Sequence, residues 1–342
     1  MGPVVRSSAT VADLGEHAVV QRIRERVRPR APGVVTGIGD DAAVIEPDRG
    51  ALAVVTTDTL VEGVHFDRTH SSPGDVGDKA LAVNLSDLAA MGAVPRHVLL
   101  ALSLPPACLA ADVDEMIDAL LSLAARHRTT LVGGDVTASP GPLVLGVTAI
   151  GSARRRRVLG RDGARPGDVV YVSGTIGAAA AGLASFRDAT DAGPVPEACR
   201  RRHRRPEARV VLGVALGRNR AARACIDLSD GLGDAVHRIA AASGVGVRLD
   251  AEALPIHPEA RTWFEAAGLD PLAAALAGGE DFELAFTSPS AFRGRLRHVR
   301  RQIGELPLTP IGVVTKAREV CLRRDGRDEP LPGGYEHFAS LD

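Results

Sequence analysis

Apolar segments that alternate with amphipathic helical segments along almost the whole chain are the feature that most restricts its fold. Strand-like apolar runs lie at 33–45, 51–66 and 97–105, and helical patterns cover 75–92 and 112–127. Chains in which strands and helices alternate form α/β or α+β domains, because the helices cover the faces of a sheet. We therefore predict an α/β (α+β) fold.

A stretch rich in arginine, glycine and proline interrupts this alternation near the middle of the chain, at 152–167. Such a composition is typical of a connection between domains. The 342 residues are enough for two domains of ordinary size. The sequence thus predicts an N-terminal domain over 1–152 and a C-terminal domain over 153–342.

Composition argues against several classes of partner. The formal net charge is −1 and aromatic residues make up only 3%, so neither a basic surface nor a stacking platform for nucleic acid is expected. No uncharged apolar stretch reaches the roughly 18 residues of a membrane span, and the N-terminus shows no apolar signal segment. We expect no nucleic-acid partner, no membrane partner and a cytoplasmic location.

The cysteines are widely separated along the chain and form no CxxC pair. This spacing argues against a zinc site and suits a reducing cytoplasm. The four residues are Cys108, Cys199, Cys225 and Cys321.

Five loops share one format, in which an apolar element is followed by a carboxylate beside glycine, serine or threonine. Clustered carboxylates repel one another unless a cation lies among them. Oxygen ligands from aspartate and threonine favour Mg²⁺ or Ca²⁺, and Mg²⁺ usually binds together with substrate phosphates. The loops therefore predict a metal-dependent nucleotide site. They are Gly39-Asp40-Asp41, Thr56-Thr57-Asp58, Asn84-Leu85-Ser86-Asp87, Gly133-Gly134-Asp135 and Asp227-Leu228-Ser229-Asp230.

Two of these loops also have simpler interpretations. In CIDLSDGLGD, at 225–234, Ser229 or Asp230 could cap the helix that follows, and Asp234 is expected to pair with Arg238 one turn later. Asp87 lies on the apolar stripe of its helix, so its carboxylate needs either hydrogen bonds from the backbone or a hard cation. The residues alone leave these alternatives open.

Three further patterns are interpreted as structural. The arginine runs at 154–157 and 200–205 are expected to form solvated faces. Gly174, Gly177 and Gly182 are expected to let a helix pack closely on a strand, because the segment matches neither GxxxxGK[ST] nor GxGxxG.

Eight motifs occur in a fixed order between 37 and 338: GIGDDAAVI, TTDTLVEGVHF, KALAVNLSDLAAMGA, LVGGDVT, RDGARPGD, IDLSDGL, GGEDFEL and GYEHF. Together they closely resemble the thiamine-monophosphate kinase family, to which TTDTLVEGVHF and NLSDLAAMGA are specific. Its superfamily also includes aminoimidazole ribonucleotide (AIR) synthetase, selenophosphate synthetase and a hydrogenase-maturation dehydratase. The resemblance implies a two-domain PurM-like (AIR synthetase-like) fold with ATP bound between the N- and C-terminal domains.

The resemblance also implies a reaction and the residues that carry it. The reaction is the ATP-dependent phosphorylation of thiamine monophosphate to thiamine diphosphate, with several Mg²⁺ ions, no covalent nucleophile, and a homodimer joined through the N-terminal domains. The implied metal ligands are Asp41, Thr56, Thr57, Asp58, Asp87, Asp135, Asp227 and Asp230. The implied ATP-binding residues are Gly134, Asp135, Arg161 and Ser229, and the implied substrate-binding residues are His65, Glu280 and Tyr335.

Alternatives remain for the substrate side and for the activity. His65 could simply close a strand, Glu280 could pair with an arginine, and Tyr335 could anchor the chain end on the core. Another ATP-dependent synthetase of the same superfamily is the main functional alternative. However, selenophosphate synthetase needs a reactive residue near its N-terminus, whereas the first cysteine here is Cys108. A metal- or nucleotide-binding module without activity is a further alternative.

Overall fold

The structure is a computed structural model that describes residues 8–27, 31–38, 42–187, 193 and 196–335. The contacts within the chain divide it into two compact units. The N-terminal unit comprises Met1–Leu88 and Val94–Arg154, and the C-terminal unit comprises Ala89–Ala93 and Arg155–Asp342. Within the described residues, no helix is both long enough and apolar enough to cross a membrane.

The described part of the N-terminal unit is built around a four-stranded sheet. The strands are β3 (Leu52–Val61), β4 (Val94–Leu104), β5 (Thr130–Ala138) and β6 (Val144–Ala153). Their order is β3-β6-β4-β5, in which only β4 and β5 are parallel. A small separate pair consists of β1 (Val34–Thr36) and β2 (Val44–Ile45). The helices are α1 (Val11–Leu14), α2 (Glu16–Arg26), α3 (Pro73–Ala90) and α4 (Ala110–Arg126).

The two faces of this sheet differ, because successive side chains of a strand point to opposite sides. On one face Leu100 of β4 and Val147 of β6 are buried, and α3 and α4 pack closely beside each other. At Gly77 of α3, a Cβ atom would lie only 2.0 Å from the carbonyl oxygen of Met116 of α4. On the opposite face Val55 of β3 is 61% exposed. The sheet therefore has one covered face and one open face.

The described part of the C-terminal unit contains a seven-stranded sheet in the order β13-β12-β9-β11-β7-β10-β8. Only β12 and β9 pair in parallel. Its strands are β7 (Asp168–Ser173), β8 (Ala224–Asp227), β9 (Gly246–Asp250), β10 (Leu284–Pro289), β11 (Leu308–Thr315), β12 (Val320–Arg324) and β13 (Arg327–Pro330). Its helices are α5 (Ala178–Arg187), α6 (Glu197–Arg204), α7 (Val210–Asn219), α8 (Leu232–Ser243), α9 (Pro258–Ala266), α10 (Pro271–Ala277) and α11 (Arg293–Gln302).

Helix α8 shows how the apolar pattern of the sequence builds the core of this unit. Apolar residues three and four positions apart predict a core face on α8, and all of them are buried and pack with Val172, Ile226 and Leu249 of the sheet. Spacing of three and four residues places them on one side of the helix. They are Leu232, Ala235, Val236, Ile239 and Ala240.

The sequence pattern also predicts three elements that differ from the structure. It predicts a first helix over 14–27, whereas α2 begins at Glu16, after Gly15 with a φ of 77° that favours glycine, and the short helix α1 lies before this range. It predicts one helix near 258–277, where the structure has two, α9 and α10, and Pro271 begins the second. It predicts a surface loop over 187–200, but α6 begins at Glu197, and 188–192, 194 and 195 lie outside the described residues.

The predicted close packing at the glycines of the segment from β7 to α5 is found, but it is against helices rather than a strand, since Gly182 of α5 lies against the backbone of Cys199 on α6. At Gly177, which has a φ of 86°, a Cβ atom would lie 2.9 Å from the Cβ of Ala275. The backbone N–H groups of Gly177 and Ala179 donate hydrogen bonds of 2.6 and 3.1 Å to the carboxylate of Asp281. Because a carboxylate of the chain itself occupies the amides at the start of α5, this segment does not form a phosphate loop.

A buried ion network joins α6 and α7 to the segment before β10. The side chain of Glu283 is completely buried and accepts hydrogen bonds from Arg202 of α6 and from both Nε and Nη2 of Arg209. Ser173 donates a further bond of 2.6 Å to the same carboxylate. The expectation that the arginine run at 200–205 is a solvated face is therefore wrong for Arg202. The guanidinium group of Arg202 lies inside the unit because the buried carboxylate of Glu283 needs a counter-charge.

The contrast between the two acidic partners of Arg209 gives a test of this network. We predict that Glu283→Gln lowers the free energy of unfolding by about 3 kcal/mol or more, because it leaves two largely buried guanidinium groups without a counter-charge. Glu207→Gln is the matched control, since Glu207 pairs with Arg209 at 3.0 Å but is 63% exposed, and it should cost about 1 kcal/mol or less. Urea unfolding of both variants measures the difference, and equal losses would contradict the proposed role of Glu283.

Candidate active site

The predicted metal ligands of the N-terminal unit lie on β3, on α3 and on β5. Thr56 and Asp58 of β3 point to the covered face, since Asp58 is paired in register with the buried Val147. The hydroxyl of Thr56 donates a hydrogen bond to the carboxylate of Asp87 on α3. The structure therefore brings Thr56, Asp58 and Asp87 to one side of the sheet.

Asp87 has the partner that its position on an apolar helix face requires. The side-chain hydroxyl of Thr56 is one such partner. One turn earlier, Asn84 is fully buried and donates from Nδ2 to the carbonyl of Ala80 at 3.0 Å. Its carbonyl oxygen Oδ1 is buried without a hydrogen-bond partner. The same helix face thus presents a carboxylate and an unsatisfied amide oxygen, which are both ligand types for a hard cation.

Thr57 and Asp135 lie on the other, open face of the sheet. The hydroxyl of Thr57 donates to the carbonyl of Val147 at 3.1 Å and accepts from Thr148 at 3.2 Å. Asp135 is exposed and is paired in register with Ala101 of β4. Since β3 and β5 are the two edges of the sheet, roughly 14 Å separates these positions. The structure does not bring Thr57 and Asp135 together with the Thr56–Asp87 pair.

Two further residues of this unit were predicted to belong to the site, Gly134 and Asp41. Gly134 lies where β5 approaches β4 so closely that a Cβ atom would be 1.8 Å from the carbonyl oxygen of Leu100. A side chain at this position is therefore excluded by the backbone of the neighbouring strand. Asp41 falls outside the described residues, so its place in the site remains a prediction from the sequence.

His65 follows β3 and is held by both its ring and its backbone. Its Nδ1 accepts a hydrogen bond of 3.1 Å from the backbone N–H of Val61, so the hydrogen of the neutral ring lies on Nε2. The carbonyl of His65 accepts a bond of 2.9 Å from the ammonium group of Lys79, a residue that is almost completely buried. Lys79 was not predicted from the sequence, because a lysine within an amphipathic helix gives no signal that it is buried.

In the C-terminal unit the acidic loop at 227–230 does not cap the helix that follows it. Helix α8 begins at Leu232 with Gly231 at its N-cap position, so neither Ser229 nor Asp230 is the N-cap residue. Asp234 pairs with Arg238 at 2.5 Å as predicted, and Arg238 also lies 3.7 Å from Asp230. The capping interpretation of Ser229 and Asp230 is therefore wrong.

Backbone hydrogen bonds join this loop to two other predicted segments. The N–H of Glu280 donates to the carbonyl of Ser229 at 2.7 Å, and the N–H of Tyr335 donates to the carbonyl of Asp230 at 3.0 Å. Glycine permits both contacts. A Cβ atom at Gly279 would lie 2.5 Å from the Ser229 oxygen, and one at Gly334 would lie 1.9 Å from the Asp230 oxygen. Ser229, Asp230, Glu280 and Tyr335 therefore belong to one cluster.

Glu280 is held in an unusual conformation by a partner that the sequence did not reveal. Its φ of 67° lies in the left-handed region, which a residue with a side chain rarely adopts. Its carboxylate lies 2.6 Å from Nδ1 of the buried His203 on α6. The expected arginine partner is thus a histidine from the arginine run, and the pairing directs the Glu280 carboxylate to a fixed position.

Asp281 and Asp227 are the buried acids of this cluster. Burial raises the pKa of Asp281 to about 6, against the lowering effect of the hydrogen bond from the Gly177 amide. Asp227 ends β8, is 5% exposed, and is paired in register with Leu284 of β10. Asp281 is occupied by the start of α5, whereas Asp227 is the buried acid of this cluster that the motifs predict as a metal ligand.

The last two predicted residues are exposed. Arg161 lies on a loop beside β8, where the carbonyl of Gly160 accepts a bond of 2.8 Å from the N–H of Cys225. The carbonyl of Arg161 itself accepts a bond of 2.8 Å from the hydroxyl of Ser243. Tyr335 is 54% exposed. An exposed guanidinium group and an exposed aromatic ring are both available to a ligand.

Two family models match the chain. The N-terminal domain of AIR synthase related proteins matches 39–153, and the C-terminal domain of the same proteins matches 165–323. These matches agree with the two-domain PurM-like fold that the motifs imply.

Known proteins are similar to the chain over nearly its whole length. A thiamine-monophosphate kinase from Escherichia coli is 41% identical, and the match covers 95% of this chain and 99% of that protein. The crystal structure of thiamine-monophosphate kinase from Stenotrophomonas maltophilia is 41% identical, has a TM-score of 0.80, and the match covers 92% of this chain and 98% of that one.

A solved structure of AaThiL complexed with AMPPCP and TMP is also similar. It is 33% identical and has a TM-score of 0.74, and the match covers 95% of this chain and 98% of that one. Matches of this identity over both units, together with the acidic loops described above, identify the family. The chain belongs to the thiamine-monophosphate kinase family.

Proposed function

We propose that the protein transfers the γ-phosphoryl group of ATP to the phosphate of thiamine monophosphate, which yields thiamine diphosphate and ADP. The observation that carries this proposal is the similarity, over 95% of the chain, to a structure solved with AMPPCP and TMP. The acidic loops found in both units support a reaction between two highly charged substrates.

We further propose that the transfer is a direct in-line attack by the acceptor phosphate on the γ-phosphorus. A phosphate monoester is already ionised near pH 7, so the reaction needs no strong general base and no protein nucleophile. The main obstacle is the repulsion between two polyanions. The work of the chain is therefore to position both substrates and to offset their charge.

Several Mg²⁺ ions are proposed to bind at the predicted aspartate and threonine residues. The oxygen ligands of the N-terminal unit fit such ions, since Thr56, Asp58 and Asp87 share one face and Asn84 Oδ1 is buried without a partner. Bound Mg²⁺ would neutralise phosphate charge and lower the repulsion between the substrates. The proposed ligands are Asp41, Thr56, Thr57, Asp58, Asp87, Asp135, Asp227 and Asp230.

The remaining site residues are proposed to contact the two substrates. Gly134, Asp135, Arg161 and Ser229 are assigned to ATP, and the exposed guanidinium of Arg161 suits a phosphate. His65, Glu280 and Tyr335 are assigned to thiamine monophosphate. Support for Glu280 comes from its positive φ and from the buried His203 that holds its carboxylate, since strained and tightly held residues concentrate at functional sites.

A product assay tests the proposed activity directly. Incubation with ATP, Mg²⁺ and thiamine monophosphate should yield thiamine diphosphate and ADP in equal amounts. With γ-labelled ATP but no acceptor, the denatured protein should carry no label, because no phosphoenzyme forms. ATP consumption without thiamine diphosphate would instead support another synthetase of the superfamily, and stable label on the protein would contradict direct transfer.

Asp58 gives the sharpest test of the metal assignment. We predict that Asp58→Asn abolishes turnover while the melting temperature stays close to that of the wild type, because the amide removes a charged ligand without removing volume. Asp48→Asn is the matched control in the same unit, since Asp48 is a carboxylate that pairs with Arg96 at 2.8 Å on the surface. Near-normal activity of Asp58→Asn at saturating Mg²⁺ would overturn the assignment.

Tyr335 is proposed to stack on the thiamine ring system. Stacking and cation–π attraction to a flat cationic ligand are worth on the order of 1–2 kcal/mol when desolvated, which corresponds to roughly a tenfold change in affinity. Tyr335→Ala should therefore raise the KM for thiamine monophosphate several-fold or more and leave the KM for ATP nearly unchanged, while Tyr335→Phe should change little. A lower melting temperature with both KM values unchanged would instead identify Tyr335 as an anchor of the chain end.

We propose a homodimer joined through the open sheet face of the N-terminal unit. Val55 in the middle of β3 is 61% exposed, and a solvated valine on an uncovered sheet is readily buried by a second copy. Val55→Asp should shift the sedimentation mass toward that of one 35.6 kDa chain. Val211→Asp is the control, because Val211 of α7 is 60% exposed in the other unit. A monomeric wild type at micromolar concentration would refute the dimer.

We propose that the enzyme works in the cytoplasm. All four cysteines are free thiols, and three of them are buried. Free thiols that are separated in space persist most readily in a reducing compartment.

A further inference from the structure

A cysteine, a histidine and a glutamate from two helices meet in the C-terminal unit, outside the acidic loops. Cys199 lies in the first turn of α6, His257 is the N-cap residue of α9, and Glu259 lies in the first turn of α9. One ligand atom of each residue, a sulfur, a ring nitrogen and a carboxylate oxygen, lies within 4.8 Å of the other two. Small side-chain movements would bring these three atoms to the distances at which they could coordinate one ion together.

The packing of the protein alone does not account for this group. Cys199 is completely buried, and Nδ1 of His257 is buried without a hydrogen-bond partner in the described chain. A buried nitrogen without a partner is unfavourable, because no hydrogen bond offsets the loss of its contact with water. The burial of the Cys199 thiol follows from its place in an apolar cluster with Ala260 and Trp263, and the helix dipole can explain an acidic residue in the first turn of α9. Neither explains the unsatisfied imidazole nitrogen of His257.

The combination of ligands indicates the class of ion. Thiolate, imidazole and carboxylate together suit Zn²⁺ and similar divalent transition metals, whereas Mg²⁺ prefers oxygen ligands only. Burial raises the pKa of the Cys199 thiol to about 11, so the thiol is no ready nucleophile. A catalytic role for Cys199 is therefore the weaker explanation.

We propose that Cys199, His257 and Glu259 form a binding site for one divalent cation of the zinc type, separate from the proposed magnesium ligands. Three protein ligands would leave one position of a tetrahedral ion for water. This site revises the expectation from cysteine spacing, because its ligands come from segments far apart in the sequence. The binding claim does not depend on the proposed kinase activity.

The position of the site also suggests what the ion would do. Helix α6 carries Arg202, which binds the buried Glu283, and His203, which holds Glu280. An ion shared by α6 and α9 would tie these two helices together. It would thereby stabilise the helix that positions Glu280 and would raise the melting temperature of the unit.

Cobalt titration of the full-length protein tests the site. Co²⁺ is added to metal-free protein in a thiol-free reductant and excess Mg²⁺, which occupies the carboxylate sites. We expect a thiolate-to-cobalt charge-transfer band that saturates at one equivalent. Fluorescence should fall in parallel, because Trp263, the single tryptophan of the chain, lies one turn after Glu259 on α9. Absence of the band at one equivalent would overturn the proposal.

Matched variants connect the band to the three residues. Cys199→Ser should abolish it, whereas Cys321→Ser, which removes a thiol on β12, should leave it unchanged. Glu259→Gln should weaken cobalt binding at least about tenfold, since even outer-sphere partners of metal ligands contribute that much. Glu259 is exposed, so Glu259→Gln is expected to fold. It therefore still tests the site if Cys199→Ser fails to fold. A band that persists in Cys199→Ser, or an unchanged affinity in Glu259→Gln, would refute the site.

Zinc itself gives an independent readout. Stoichiometric Zn²⁺ should raise the melting temperature of the wild type and of Cys321→Ser, but not that of Cys199→Ser, when Mg²⁺ is in excess. Equal stabilisation of all three proteins would mean that zinc binds elsewhere, and the proposal would be wrong. Turnover with ATP and thiamine monophosphate is measured separately, so loss of kinase activity cannot be mistaken for loss of the zinc site.

Discussion

Repulsion between neighbouring carboxylates is the constraint on which much of this structure depends. Two like charges 4 Å apart repel each other by about 4 kcal/mol at the effective dielectric constant of a protein surface. The segment before β10 carries three acids, and each has its own source of positive charge or hydrogen-bond donors. Glu280 has His203, Asp281 has the first amides of α5, and Glu283 has Arg202 and Arg209. The segment can therefore lie against the acidic loop at 227–230.

The N-terminal unit meets the same constraint with neutral partners and with distance. The carboxylate of Asp87 is bound by the hydroxyl of Thr56, and Asp135 lies at the opposite edge of the sheet, on the other face. A hydroxyl donor satisfies one carboxylate oxygen without adding charge.

Local features of the fold were predictable from the sequence, because the signals for them are local. The core face of α8 follows from apolar residues three and four positions apart, and the Asp234–Arg238 pair follows from i, i+4 spacing on the same helix. The short helix α1 was not predicted, since its four residues are too few to show a helical period. The start of α6 at Glu197 was not predicted, because most residues of this helix are charged and its buried side shows no clear apolar spacing.

Partners that are distant in the sequence could not be predicted. Nothing near Arg202 or His203 shows that each faces a carboxylate of the segment before β10, and nothing near Lys79 shows that it is buried against the loop of His65. Charged residues look solvated in a sequence, because their burial depends on a counter-charge that other elements supply. The meeting of Cys199 with His257 and Glu259 is a further example.

The sequence by itself determined the family, the alternation of strands and helices, and the acidic loops, because each is written in consecutive residues. Only the tertiary structure decided that Thr56 and Asp87 meet on a covered sheet face while Thr57 and Asp135 lie on an open one. It also decided that the loop at 227–230 does not supply the N-cap residue of α8, and that the carbonyl groups of Ser229 and Asp230 instead accept backbone hydrogen bonds from Glu280 and Tyr335. The physical reason is that strand order and helix packing set long-range neighbours, whereas periodicity specifies only which side of its own element a residue occupies.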